Sequence, residues 1–192
     1  MSTGGTTIAN GTTTVCTASL ATPLGAAQLW GTARGLLLIA LPGESRGFAE
    51  AWLRRMTGAA WCIEEPVALR EASAQLADYF AGTRSAFDLP IDWRGTPFQR
   101  AVWEAVMAIP YGETRTYGAI AAALGRPRAA RAVGAANGAN PLAPIVPCHR
   151  LIGGDGSLRG YGAGLPTKRW LIELERGSPR ADAGGEAGRP LL

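Results

Sequence analysis

The chain has 192 residues, of which 47% are apolar and 18% charged, with a net charge of +4 and a sequence pI near 9.3. This composition excludes a disordered or fibrous chain and permits an acidic partner such as nucleic acid without requiring one. No apolar run approaches the roughly 18 residues of a membrane span, and the Thr/Gly-rich start does not read as a signal peptide, so no membrane association and a cytoplasmic location are expected. Cys16, Cys62 and Cys148 are too few and too widely spaced for a disulfide framework or a zinc knuckle. They read as free thiols in a reducing compartment. The basic side chains are nearly all arginine, with Lys168 the sole lysine.

Residues 1–19 read as a mobile tail of low complexity, followed by an α/β region over 20–93. Within it, Ala26–Trp30 and Leu36–Leu41 read as strands around a Gly31–Gly35 hairpin turn, closed by Pro42-Gly43. Ser45 is a candidate cap for a helix with Phe48 and Trp52 one turn apart. After Pro66, the stripe Leu69, Ala72, Leu76 and Phe80 predicts a helix that ends before Gly82. A connector holding Pro90 leads to the second region, 94–177, and residues 178–192 read as a C-terminal tail.

Thr96-Pro-Phe-Gln99 predicts a helix start with a capping box, and Phe98, Val102, Val106 and Ile109 its buried face. From Thr116 to Asn137 the pattern is helix, tight turn, helix, with Gly125 closing the first and Pro127 opening the second. The second helix carries Arg128 and Arg131 among Ala130, Ala132, Gly134 and Ala135. Small residues allow close approach and arginines supply charge, which suits a nucleic-acid groove. An Ala-rich packing helix with solvated arginines explains the same residues equally well.

Pro141, Pro144 and Pro147 then fix φ at every third residue and remove three backbone donors, so the segment resists both helix and central strand. It delivers Cys148 beside His149, the only histidine. A thiol with an imidazole neighbour reads as an activated nucleophile, although a structural Cys beside an unrelated His reads the same way. Adjacent side chains point apart, so a bridging water is a better link than a direct bond. Gly153–Gly156 reads as a turn between strands at Leu151 and Leu158, and Gly160–Gly164 as a flexible loop around Tyr161. On the last helix Glu175 falls between Leu171 and Ile172 on the wheel, which makes it, rather than Glu173, the carboxylate that could orient His149.

These motifs resemble the 6-O-alkylguanine-DNA alkyltransferases, the methylated-DNA–protein-cysteine methyltransferase family. The resemblance is carried by Ile109-Pro-Tyr-Gly-Glu-Thr-Arg-Thr-Tyr-Gly118, Ala129-Ala-Arg-Ala-Val-Gly134, Asn140-Pro141, Ile145-Val-Pro-Cys-His-Arg150, then Tyr161, Trp170-Leu171 and Glu175, in order over some eighty residues. It implies an α/β N-terminal domain with a ribonuclease-H-like sheet and a mainly α C-terminal domain with a winged-helix-like helix-turn-helix. It also implies a single-turnover repair reaction, with no cofactor and no metal, on double-stranded DNA holding 6-O-alkylguanine or 4-O-alkylthymine. Cys148 then accepts the alkyl group, His149 takes its proton through water, and Glu175 holds His149. Tyr117 donates a proton to the departing base, Arg131 fills the stack after the nucleotide flips from the minor groove, and Asn140 braces the nucleophile. Arg128, Ala130, Ala132, Gly134 and Ala135 complete the DNA face. Tyr161, Gly162, Pro147 and Val146 wall the base pocket. A monomer, with cooperative assembly on DNA left open, is the implied state.

Gly162-Ala163 stands where many members have Ser-Gly, and no histidine in the N-terminal half could ligate a metal. Two other readings remain. A non-catalytic lesion-binding relative would lack the acceptor cysteine, and a Cys-His hydrolase would need an oxyanion hole and a directly paired base.

Overall fold

A computed structural model describes residues 14–44, 46–57, 60–61 and 67–177. It is mixed α/β, with two small sheets and several helices. The larger sheet takes β1 (Thr14–Thr22), β2 (Gly25–Thr32), β3 (Gly35–Ala40) and β4 (Ala60–Trp61) in the order β3-β2-β1-β4. β1 and β2 pair antiparallel from Cys16↔Gly31 to Thr22↔Gly25, and β4 lies parallel to β1. The expected tail is therefore too long, because Thr14–Ser19 are strand. Four pairings with β2 (Cys16 to Ser19), two with β4 (Thr14 and Val15) and the burial of Val15 and Cys16 stabilise a segment whose Thr-rich surface face hides its pattern.

Helices α1 (Arg46–Thr57) and α2 (Val67–Phe80) pack on this sheet. Trp52 is buried as expected, whereas the Ser45 cap, the Phe48 side chain and Cys62 lie outside the described residues. Leu69, Ala72, Leu76 and Phe80 of α2 are all buried, and so is Tyr79. Cys16 is disulfide-bonded, which corrects the reading of three free thiols; Cys148 is free.

β3 is an edge strand, and its open side is used. Leu36 donates to the Pro90 carbonyl (2.8 Å) and Asp92 back to Leu36 (2.9 Å), while Ile39 donates to the Pro141 carbonyl (2.8 Å). A Cβ at Gly35 would lie 2.1 Å from the Pro90 oxygen, so only glycine lets the connector approach. Buried Asp92 ties the connector further, accepting from Thr32 Oγ1 and from two nitrogens of Arg94, each at 2.9 Å. The edge of the sheet thus grips both the connector and the proline-spaced segment.

Helix α3 (Pro97–Met107) starts in the predicted capping box: Thr96 Oγ1 accepts from the Gln99 amide and Gln99 Oε1 from the Thr96 amide. Such a cap stabilises by about 1 kcal/mol. Val102, Trp103, Val106 and Ile109 are buried, and Trp103 Nε1 donates to the Ala136 carbonyl (2.9 Å), fastening α3 to the second helix of the pair that follows. That pair is α4 (Tyr117–Ala123), capped by Thr116, and α5 (Ala130–Gly138). α5 begins three residues after Pro127, because Pro127 and Arg128 form a turn, so Arg128 precedes the helix rather than riding on it.

β5 (Arg115–Thr116) pairs in parallel with β6 (Leu151–Ile152). No strand forms at Leu158, so the expected hairpin is absent; the Gly153 amide instead closes the turn onto the Ser157 carbonyl (2.8 Å). The last helix, α6 (Leu165–Glu175), buries Trp170, Leu171, Leu174 and Glu175. One apolar cluster runs from Ala27 and Leu36 through Tyr79 and Val102 to Leu174, continuous across the connector.

Candidate functional site

The segment between α5 and β6 is built around the backbone donors its prolines lack. Asn140 supplies one such donor, its Nδ2 to the Val146 carbonyl (2.8 Å), while its Oδ1 accepts from the Leu142 amide (2.9 Å). The Val146 amide reaches the Leu142 carbonyl, and the Ala143–Pro144 peptide is cis. Every residue from Pro141 to Arg150 is buried. The segment ends in one 3-10 turn, Cys148–Arg150, whose Cys148 carbonyl accepts from Asn137 Nδ2 (3.3 Å).

Within that turn the His149 ring is fully buried and sits 2.8 Å through Nε2 from Glu175 Oε1. Glu175 accepts more than this one bond. Tyr79 donates its hydroxyl to Oε1 (2.8 Å), the Gly112 amide donates to Oε2 (3.0 Å), and Arg150 donates to both oxygens (2.8 and 2.9 Å). Burial alone would raise this carboxyl; the hydrogen bonds from His149 and Arg150, with the Arg150 charge, outweigh it and hold Glu175 down at about 2. An ionised carboxylate only accepts, so Nε2 carries the ring proton. Nδ1 is then the bare nitrogen, and it is buried with no hydrogen-bond partner among the described residues. Burial also lowers the His149 pKa, against the pull of Glu175. The imidazole rests neutral with its lone pair on Nδ1, which is the form a base needs.

Cys148 opens into a cavity of about 530 Å³ lined also by Tyr117, Gly134, Asn137, Asn140, Tyr161 and Gly162. Burial raises its thiol to about 11, with Glu44 adding to the rise and Asn140, Lys168 and Tyr161 opposing it. At neutral pH roughly one sulfur in ten thousand would be thiolate, so the thiol needs a base to act as a nucleophile. Tyr117 is raised above its ordinary value by burial and by Cys148, so its phenol keeps its proton. The Tyr117 hydroxyl and Lys168 Nζ both donate to the Arg159 carbonyl (3.2 and 2.6 Å), pinning the 158–164 loop against α4 and α6.

The remaining sequence candidates divide into two groups. Arg131, Ala132 and Ala135 are exposed on α5, Ala130 is half-buried, and Gly134 turns towards Tyr117 and the cavity. Tyr161 and Gly162 line the cavity. Val146 and Pro147, expected as pocket walls, are buried behind it and do not line it; Ala143 stands there instead. Among the described residues no group of three His, Cys, Asp or Glu side chains could hold a metal ion, and no helix is long and apolar enough to cross a membrane.

Residues 97–177 match the family model described as the 6-O-methylguanine DNA methyltransferase DNA-binding domain. The methylated-DNA–protein-cysteine methyltransferase of Methanosarcina barkeri is 46% identical over 158 residues, covering 82% of this chain and 95% of that one. The chain belongs to the methylated-DNA–protein-cysteine methyltransferase family. The Mycobacterium tuberculosis member is 57% identical over 118 residues, 62% of this chain and 72% of its own. Among solved structures, Mycobacterium tuberculosis OGT in complex with DNA superposes with a TM-score of 0.73 at 43% identity, covering 88% of this chain and 96% of that chain.

Against this family background, four further side chains belong to the site and were not expected in it. Tyr79 and Arg150 hold Glu175, Asn137 holds the Cys148 carbonyl, and Glu44 enters the cavity from the turn after β3. Arg150 stands inside a motif that carries the resemblance, which is a usable signal, whereas Asn137 lies between two such motifs, at the end of the predicted second helix. Tyr79 and Glu44 come from the other region and carry none.

Proposed function

We propose that this protein repairs double-stranded DNA by moving an alkyl group from the exocyclic oxygen of 6-O-alkylguanine, and of 4-O-alkylthymine, onto its own Cys148. The observation that carries this reading is the bare, buried Nδ1 of a neutral His149 held by ionised Glu175, next to a cavity-facing thiol. His149 Nδ1 takes the Cys148 proton through a water. The sulfur's electron pair forms a bond to the alkyl carbon, the carbon–oxygen bond breaks, and its pair leaves on the guanine oxygen. Tyr117 gives a proton to the departing base, whose charge is thereby neutralised. The product is a thioether, a poor leaving group, so each molecule acts once.

Access fits the same reading. The target carbon lies inside the duplex, so the nucleotide must be extruded, at a cost of a few kcal/mol that is smaller for a poorly paired lesion. α4 and α5 act as a helix-turn-helix, and the small residues Ala132 and Ala135 let α5 approach the minor groove while Arg131 fills the vacated stack. Arg128, at the turn before α5, serves as a phosphate contact. Tyr161 and Gly162 wall the base, and Asn140 keeps the nucleophile segment in shape. The N-terminal sheet with its helices is read as a ribonuclease-H-like unit from β1 at Thr14 to residue 93, the acceptor domain as 94–177, and the working state as a cytoplasmic monomer.

Duplex DNA with radiolabelled methylguanine tests the reaction. One label per protein on the Cys148 peptide is expected. Binding without label would favour a lesion-recognition protein, and repeated turnover would favour a hydrolase; either would overturn the proposal.

A further inference from the structure

The turn that leaves β3 places a carboxylic acid in the reaction cavity. Glu44 lines the same cavity as Cys148, although it belongs to the opposite region of the chain. Two glycines admit it. Gly43 has φ +90°, and a Cβ there would lie 3.1 Å from the Ala163 oxygen, so the turn can press on the pocket loop only without a side chain. A Cβ at Gly162 would lie 3.0 Å from Glu44 Oε1, so the carboxyl occupies the room that a side chain at position 162 would take.

The groups that face Glu44 across the cavity are Cys148 from the 3-10 turn, Tyr117 from α4, and Tyr161 and Arg159 from the loop. The Arg159 guanidinium is engaged by Asp155 (2.8 Å), and the Lys168 ammonium points at the Arg159 carbonyl. No cation pairs with Glu44 among the described residues. Its charge therefore acts on whatever enters beside the sulfur, and it already opposes ionisation of Cys148 and Tyr161.

We propose that Glu44 is a specificity-determining residue, a carboxyl at the alkyl end of the cavity that favours adducts with neutral substituents and disfavours those ending in a carboxylate. The proposal rests on the alkyl-transfer reading above. Alkyl carbon and sulfur must meet in this cavity, so the far end of a substituent longer than methyl is driven towards the walls around Cys148. Burial lifts the Glu44 carboxyl to about 7, with the Leu41 amide pulling it back, so its charge changes across the neutral range. Below that range the protonated acid donates a hydrogen bond; above it the carboxylate repels an anion in a poorly solvated space.

The test compares transfer rates from duplexes carrying 6-O-methylguanine and 6-O-carboxymethylguanine between pH 6 and 8, for the wild type and Glu44→Gln. The ionisation of Cys148 divides out of the ratio, because both duplexes meet the same sulfur, and the carboxymethyl group stays ionised throughout. The wild-type preference for methyl should grow about tenfold across this range, and Glu44→Gln should hold it constant at the low-pH value. A flat wild-type ratio, or an equal slope in the variant, would overturn the proposal. If methyl is never found on Cys148, the alkyl-transfer reading itself fails; if it is found and the ratio is flat, only the role of Glu44 fails.

Discussion

Replacing Glu175 by glutamine removes the charge at the centre of the buried network while keeping its shape. The carboxylate accepts from Tyr79, His149, Gly112 and twice from Arg150, and its pKa falls from the ordinary 4.5 to about 2. At 1.36 kcal/mol per pH unit that drop corresponds to about 3 kcal/mol of folding free energy. The folded-state pKa is depressed, so this stability is fully present above about pH 4.5 and is lost as pH falls towards 2. Glu175→Gln should therefore lower the urea-unfolding free energy at pH 7 by about 3 kcal/mol, in the range found when one partner of a buried pair is removed. The deficit should shrink when unfolding is repeated at pH 3. The amide also presents a donor to His149 Nε2, which turns the ring towards the tautomer protonated on Nδ1. Transfer to Cys148 should then slow by about 100-fold, the low end of what a general base contributes. A variant as stable as the wild type at pH 7, or a deficit that does not change with pH, would refute the reasoning.

Tyr79→Phe deletes one of the five donors to Glu175 and should cost about 1.5–3 kcal/mol in urea unfolding, the value of a hydrogen bond to a charged group; an unchanged stability would remove Tyr79 from the network. Arg131→Ala should retain reaction with the free alkylated base and lose much of the rate on duplex DNA, as measured by paired single-turnover assays; equal losses on both would remove Arg131 from base extrusion. DNA affinity measured by fluorescence titration should fall with salt at a log–log slope near −0.9 per neutralised phosphate, and a flat response would contradict groove binding by α5.

The chemistry of the site was legible wherever it is local in the chain. Glu175 was separable from Glu173 because the helical wheel already placed it among Leu171 and Ile172, and the Thr96 capping box needed only four consecutive residues. Proline spacing announced a rigid approach to Cys148, but not that Asn140 and the edge of β3 supply the donors it lacks. What could not be read depends on contacts between distant segments. Tyr79 looks like one more apolar member of the α2 stripe, and its hydroxyl acquires a role only when α6 packs opposite. Nothing local in the chain marks Lys168, the single lysine, as buried, yet it is, with its ammonium on the Arg159 carbonyl and above the Tyr117 ring. Burial brings its pKa down to about 8. β1 gives no clear strand signal because its alternation uses Thr, Ser and Ala against small apolar groups, and pairing with β2 rather than hydrophobic contrast holds it. Pro127 marked a helix start correctly in kind but three residues early, since the turn it favours continues through Arg128 before α5 begins.

Intact mass of the protein after incubation with a free benzylated guanine, followed by peptide mapping, addresses the reactive sulfur most directly. One added benzyl group per molecule, located on Cys148 and absent from Cys148→Ala, is the predicted result. No mass change, or a benzyl group on any other residue, would contradict the assignment of Cys148 as the alkyl acceptor.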